Sequence, residues 1–271
     1  MFVNGIDTHK LQPDGSTSQY VTEANSPVEI ARGDVEGASP FGAYGEITTP
    51  GAVSKNVIWP DGTFYVPNQT AGEAITFVSS SVEDAVGGTG ASKIEVHYLD
   101  INLNPQHVEI TLTGTTQVTG QLSGVRFIQC MHIVEVGSTG SAVGQIDAYQ
   151  AGSPTVVYSL ISAGTERCLS SMRMIPSGKK CFISGAVASS VSLTADAYAL
   201  VRIIATELDN HQYIDPFIYI PQGSIGTQNN GIGFNFTPPQ VYNAGSIVGG
   251  RVNTNKACIV SFDWFGWLED A

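Results

Sequence analysis

Apolar and polar residues alternate with a period of two along most of this chain. No amphipathic helical pattern is sustained for more than about three turns. The clearest run lies between residues 71 and about 150. Ala74 to Ser79 reads as one strand, and Ile94, Val96 and Tyr98 then alternate with Glu95 and His97. Leu99, Ile101 and Leu103 take over as the apolar set. That parity switch predicts a bulge or a change of sheet between Tyr98 and Leu99. Asn104-Pro105 turns the chain, and Val108, Ile110 and Leu112 alternate with His107, Glu109 and Thr111. The pair reads as a hairpin with one buried and one wet face. Val125 to Val136 reads as a more fully apolar strand, and Gln145 to Tyr149 as the next.

The pattern continues to the end. Thr155 to Ile161, Cys181 to Ala188 and Ala197 to Ala205 read as strands, and Met172 and Met174 alternate with Ser171 and Arg173. Ile218 to Ile220, Ile225, Phe234 and Phe236 follow. In the last stretch, Ala257 to Leu268, Ile259, Ser261, Asp263 and Phe265 share one face, and Val260, Phe262, Trp264 and Gly266 share the other. A strand apolar on both faces is central or lies in an interface. Turn clusters such as Asp61-Gly62, Gly87-Gly88-Thr89-Gly90, Pro176-Ser177-Gly178 and Asn229-Asn230-Gly231 recur every 8–12 residues or so, the spacing of a sandwich or barrel. No fixed-period repeat marks a propeller or solenoid.

The predicted class is therefore all-β: an antiparallel, jelly-roll-like β-sandwich, split into sandwich-like domains over 71–150 and 151–271. Residues 1–70 are rich in Pro, Gly and acidic residues with scattered apolar ones, and read as an extended arm ordered by a partner. Phe41, Tyr44, Ile47 and Trp59 are its candidate anchors, either on a partner or over one end of the chain's own core. Trp264 and Trp267, in the Trp264-Phe-Gly-Trp-Leu268 segment, are candidates for a core strand or a subunit interface.

Composition narrows the function. Hydrophobic residues are 42% of the 271, enough for a real core, while charged residues are only 13% and net charge is −12. An acidic chain lacks the basic face that nucleic-acid binding needs, so no nucleic-acid partner is expected. Low charge with abundant Ser, Thr and Gly suits a surface largely covered by neighbours. No basic-then-apolar leader and no apolar run of about 18 residues occurs, so no export by the usual route and no membrane span are expected. Cys130, Cys168, Cys181 and Cys258 show no C-x-x-C spacing and read as reduced core residues.

The search for chemistry yields little. His9, His97, His107, His132 and His211 show neither helical i, i+4 pairing nor zinc spacing with a cysteine. His97 and His107 are expected to face each other on the outer side of the hairpin, as a surface pair. Glu83-Asp84 and Asp263 are the candidate members of a carboxylate pair of the kind that cleaves sugars. Trp59, Trp264 and Trp267 are a candidate sugar-stacking platform. Gly87 to Gly90 lacks the Lys-Ser/Thr of a phosphate loop, and no G-x-S-x-G occurs. Arg32-Gly33-Asp34 matches an integrin-binding tripeptide by three residues alone. No catalytic residue, cofactor or metal is assigned, and the chain is expected not to be an enzyme.

Several segments resemble a known group. Ser39-Pro-Phe-Gly-Ala-Tyr-Gly-Glu46 with Thr49-Pro50 is similar to a short motif near the start of many tailed-phage virion proteins. The block Val78-Ser-Ser-Ser81, Asp84, Gly88-Thr-Gly-Ala91, Val96-His-Tyr-Leu-Asp100 and Glu109-Ile-Thr-Leu-Thr-Gly-Thr-Thr-Gln-Val118 carries the stronger likeness. Gly137-Ser-Thr-Gly140, Gly144-Gln-Ile146 and Ile175-Pro-Ser-Gly-Lys179 extend it. Together they resemble structural proteins of short-tailed and marine phages. The resemblance implies a place in a virion, synthesis in the host bacterial cytoplasm, and no activity. A capsid decoration, cement or head-fibre protein is the leading expectation. A tail-associated adaptor, nozzle or fibre-base protein with a receptor- or glycan-binding role is the alternative. The implied partners are other virion proteins, the major capsid protein or tail proteins, and further copies of the chain, most simply as a trimer.

Overall fold

The computed structural model describes residues 9–11, 17–19, 27–194, 197–206, 217–220 and 230–271. The chain is all-β with antiparallel sheets. β1 (His9–Leu11) and β2 (Thr17–Gln19) form a small ribbon, followed by the short helix α1 (Pro27–Arg32). β3 (Ser39–Thr49) and β4 (Val53–Val57) come next. Seven strands then build a separate unit: β5 (Glu73–Ser79), β6 (Ala91–Leu99), β7 (Pro105–Thr111), β8 (Val118–Val125), β9 (Phe127–Val136), β10 (Ile146–Gln150) and β11 (Ser153–Ile161). The chain returns with β12 (Arg173–Met174), β13 (Lys179–Ser192), β14 (Ala199–Thr206), β15 (Phe217–Ile220), β16 (Asn230–Asn243), β17 (Ile247–Thr254) and β18 (Cys258–Asp270).

The first and last parts of the chain share one unit. Its first sheet runs β16-β13-β18-β3. Its second runs β12-β17-β14-β15, with β4 beside β12 on the same edge of β17. Between them lies a core that includes Ile47, Ile183, Val201, Val252, Phe262 and Trp264. β18 is central in its sheet, flanked by β13 and β3; Val260, Phe262 and Trp264 enter the core, while Asp263 and Phe265 lie on the exposed outward face. The inserted unit pairs a β11-β10-β5-β8 sheet with a β7-β6-β9 sheet around Phe77, Ile94, Val96, Ile110, Met131 and Ile146. A third cluster, with Val57, Trp59, Leu99, Phe127, Met174 and Ile204, joins the two units. β14 accordingly turns Val201 and Ile203 toward the first core and Ile204 toward the third.

The hairpin read from alternation is present as β6 and β7, with His97 opposite His107. Its turn begins earlier than Asn104: Asp100 Oδ1 accepts from the Asn102 and Asn104 amides, and Leu103 takes φ 62°. The parity switch is where Leu99 leaves the inserted unit's core for the third cluster, next to a register shift between His97 and Tyr98. The strand expected over Val125 to Val136 is instead broken at Arg126, between β8 and β9. Arg126 Nη1 donates to the Ile101 carbonyl.

Two expectations about domains need correction. Residues 39–57 do not belong to an extended arm, since β3 pairs with β18 from Ser39 to Thr49 and β4 pairs with β17. Residues 1–8, 12–16 and 20–26 of the expected arm lie outside the described residues, as do His211 and Ile225. The division expected at residue 150 falls in the turn between β10 and β11, which pair with each other. Composition misled here. The Gly- and Pro-rich stretch around β3 forms a strand because Gly42 and Gly45 lie where a Cβ would meet backbone of Trp264, Ile58 and Ser171.

Candidate functional site

The most concentrated chemistry lies on the outer face of the β7-β6-β9 sheet. Period-two alternation on β6 turns Ile94 and Val96 inward and leaves Lys93, Glu95 and His97 on the other face. Register does the rest. His132 of β9 lies opposite Glu95, and His107 of β7 lies opposite His97. The His97 and His132 rings stack with centroids 5.4 Å apart, and His97 and His107 lie at 6.0 Å. His97 Nε2 is 2.5 Å from Glu95 Oε1, and His132 Nε2 is 3.9 Å from the same oxygen. Beside them Lys93 Nζ contacts Glu135 Oε1 at 2.5 Å and Glu109 Oε2 at 3.4 Å. The bond to Glu135, with help from Glu109, holds the Lys93 ammonium above its ordinary pKa.

The sequence expected the His97–His107 pair and found it. It missed His132 and Glu95 as partners, because a strand 35 residues away supplies His132 and only sheet register brings it in. His97 also reaches the rim of a cleft of about 340 Å³ between the two units, lined in part by Phe41, Tyr98, Gln129 and Arg173.

At the outer edge of β9, Cys168 lies against Cys130, with their sulfurs 3.1 Å apart. The hydrogen bond that the two thiols share is the chief reason the Cys168 thiol is held below its ordinary value. That same bond pushes Cys130 up. All four cysteines are free thiols, and Cys168, Cys181 and Cys258 are buried.

Five of the six interface candidates lie in the first unit and Trp59 in the cluster that joins the two units, and most are turned inward. Ile47, Trp59 and Trp264 are buried within this chain. Trp264 Nε1 donates to the Ser171 carbonyl at 2.7 Å, and the partly buried Phe41 meets its ring edge-on. Trp267 stacks on Phe182 at 5.5 Å and is also covered. Tyr44 alone of the six is exposed, on the outward face of the β16-β13-β18-β3 sheet, with Val187 and Phe265 exposed near it and Val241 exposed on the same face at the opposite edge strand β16. The inward set follows from alternation on β3: Phe41, Ala43, Gly45 and Ile47 share the core side, and Tyr44 takes the other.

Two other groupings do not form. The three tryptophans make no sugar platform, because Trp59 and Trp264 sit in two different buried clusters. The carboxylates do not converge either. Asp84 is fully buried in the inserted unit, where it accepts from Ser79 Oγ at 2.5 Å and from the Ala91, Val143 and Gly144 amides at 2.8–2.9 Å. Asp263 lies on the outward face of β18 in the other unit, where burial raises its carboxyl above the usual range.

No protein-family model matches the sequence, and no curated protein matches it. Among solved structures, the chain is similar to one of the infectious bursal disease virus Gx strain. Identity is 11% and the TM-score 0.24, over 86% of this chain and 76% of that one. It is also similar to the VP2 subviral particle of infectious bursal disease virus, at 10% identity and a TM-score of 0.22 over the same shares. A likeness of this size shows neither a shared family nor a shared activity.

Proposed function

We propose that this chain is a structural subunit of a virus particle, that it acts without catalytic turnover, and that its first unit is a jelly roll. The observation that carries this reading is strand order. Taken along the chain, β3, β4, β13, β14, β15, β16, β17 and β18 pair first with eighth, second with seventh, third with sixth and fourth with fifth. That is one long antiparallel hairpin. It is rolled up where β18 also pairs with β13, and β17 with β14. Two four-stranded sheets made this way are the jelly roll of capsid, lectin and cupin domains.

The side chains favour the packing role among these. A metal-dependent cupin chemistry needs His or carboxylate ligands inside the roll, and among the described residues none is buried between these sheets. Sugar binding by stacked tryptophan is disfavoured, because Trp59 and Trp264 are buried. The outward β16-β13-β18-β3 face instead offers Tyr44, Val187, Val241 and Phe265 on a chain of low charge, which suits contact with other subunits.

Within a virion, the reading adopted is a decoration or cement protein on the head of a tailed phage, associating with the capsid and with further copies of itself, most simply as a trimer. Immunogold electron microscopy of intact particles, with antibody against this chain, tests it. Label over the whole head is expected. Label at a single vertex would transfer the protein to the tail, and unlabelled particles would overturn the virion assignment.

A further inference from the structure

We propose that Glu95, His97 and His132 form a binding site for one zinc-class divalent cation on the outer face of the β7-β6-β9 sheet, with His107 placed to complete it.

Among the described residues, these three present ligand atoms that all lie within 4.8 Å of one another. Backbone placement makes the grouping. Glu95 and His97 are two apart on one strand and so share a face, and His132 is the registered partner of Glu95 on the next. The Glu95 Oε1 atom already lies between two imidazole nitrogens, at 2.5 Å from one and 3.9 Å from the other. A tetrahedral zinc with bonds of 2.0–2.1 Å needs its donors about 3.3 Å apart. The loosest donor pair must close by at most about 1.5 Å, and the Glu95–His97 pair must open by about 0.8 Å; side-chain torsions can supply both, because all three residues are only partly buried.

The donor set selects the ion. Two imidazoles and one carboxylate suit zinc, nickel or copper, whereas magnesium and calcium prefer all-oxygen sites. His107, across from His97 on the other neighbouring strand, offers a third imidazole and would tie β7 to the site. The surroundings are anionic: Glu95, Glu109 and Glu135 face a single ammonium on Lys93, which contacts two of them. Arg167 is the nearest further cation by backbone pairing, bridged to His132 at the sheet edge. A bound cation would link β6, β9 and β7 across their exposed side, where no apolar core holds them.

The proposal does not depend on the virion reading. The full-length chain, free of any histidine tag and stripped with chelator, is incubated with zinc chloride, desalted, and analysed for metal by mass spectrometry and for affinity by calorimetry. About one zinc per chain is expected, with a rise in melting temperature. His97→Ala and His132→Ala should each abolish retention, Glu95→Gln should weaken binding at least tenfold, and His107→Ala should weaken it less. Magnesium should not bind. The site's residues are partly exposed, so the variants should melt with the unaltered chain in chelator, which separates lost binding from lost folding. Absence of retained zinc in the unaltered chain would overturn the proposal. So would retention that survives both histidine substitutions in folded protein.

Discussion

At the scale of single residues, the inserted unit depends on one buried carboxylate. Asp84 accepts four hydrogen bonds from Ser79, Ala91, Val143 and Gly144, and so ties the β5–β6 loop to the loop before β10. In Asp84→Asn the amide NH2 must confront backbone N–H donors, and the charge that strengthens these bonds is gone. A loss of about 2–4 kcal/mol is expected from urea unfolding. Alkali acts on other buried residues. Burial pushes the Cys181 thiol from 9.0 up to about 12, and the Tyr158 hydroxyl from 10.0 to about 12. Both groups are raised in the fold, so their contribution is fully present below the unfolded values and is lost as pH climbs through the folded ones. Stability should fall between about pH 9 and 12. Replacing Cys181 by Ala should flatten the lower part of that fall, as followed by denaturation midpoints at successive pH values.

At the scale of elements, β18 organises the first unit because it lies between β3 and β13 and sends Val260, Phe262 and Trp264 into the core. Its approach to β13 is closest at Gly266, opposite Ile183, where the register shifts by a bulge. A Cβ there would run into the Phe182 carbonyl oxygen and meet the Ile183 Cα at 2.9 Å. Both obstacles are backbone and cannot rotate away. Gly266→Ala is expected to cost about 1–3 kcal/mol, read as a lower melting temperature, whereas Gly140→Ala in an open turn meets no atom and tests only its positive φ of 71°.

At the scale of the whole molecule, the question is how two units behave as one. The cluster around Trp59 takes side chains from β4, β6, β9, β12, β14 and β17, so it belongs to both units. Trp59→Ala should remove about 3–5 kcal/mol and broaden or split the calorimetric transition, because the loss falls on the joint rather than on either core. A single sharp transition at unchanged temperature would show that the joint contributes little. The proposed assembly uses a different surface. Val187→Lys and Phe265→Lys alter exposed residues, at 44% and 41% accessibility, on the outward sheet face. They are expected to leave monomer stability within about 0.5 kcal/mol while dissociating the proposed oligomer in sedimentation experiments.

Local pattern determined much of this protein. Alternation specified the β class, the β6–β7 hairpin, the two faces of β18 and the His97–His107 pair, because a two-residue period and a turn are properties of adjacent residues. Glycine content and scattered apolar residues do not report long-range pairing, so β3 looked like an arm until β18, more than 200 residues later, supplied its partner. The same limit hid the insertion of β5–β11 between β4 and β12, and the meeting of Glu95 with His132. Only tertiary structure decides which strands become neighbours, because sheet register is set by which faces can be buried together rather than by distance along the chain.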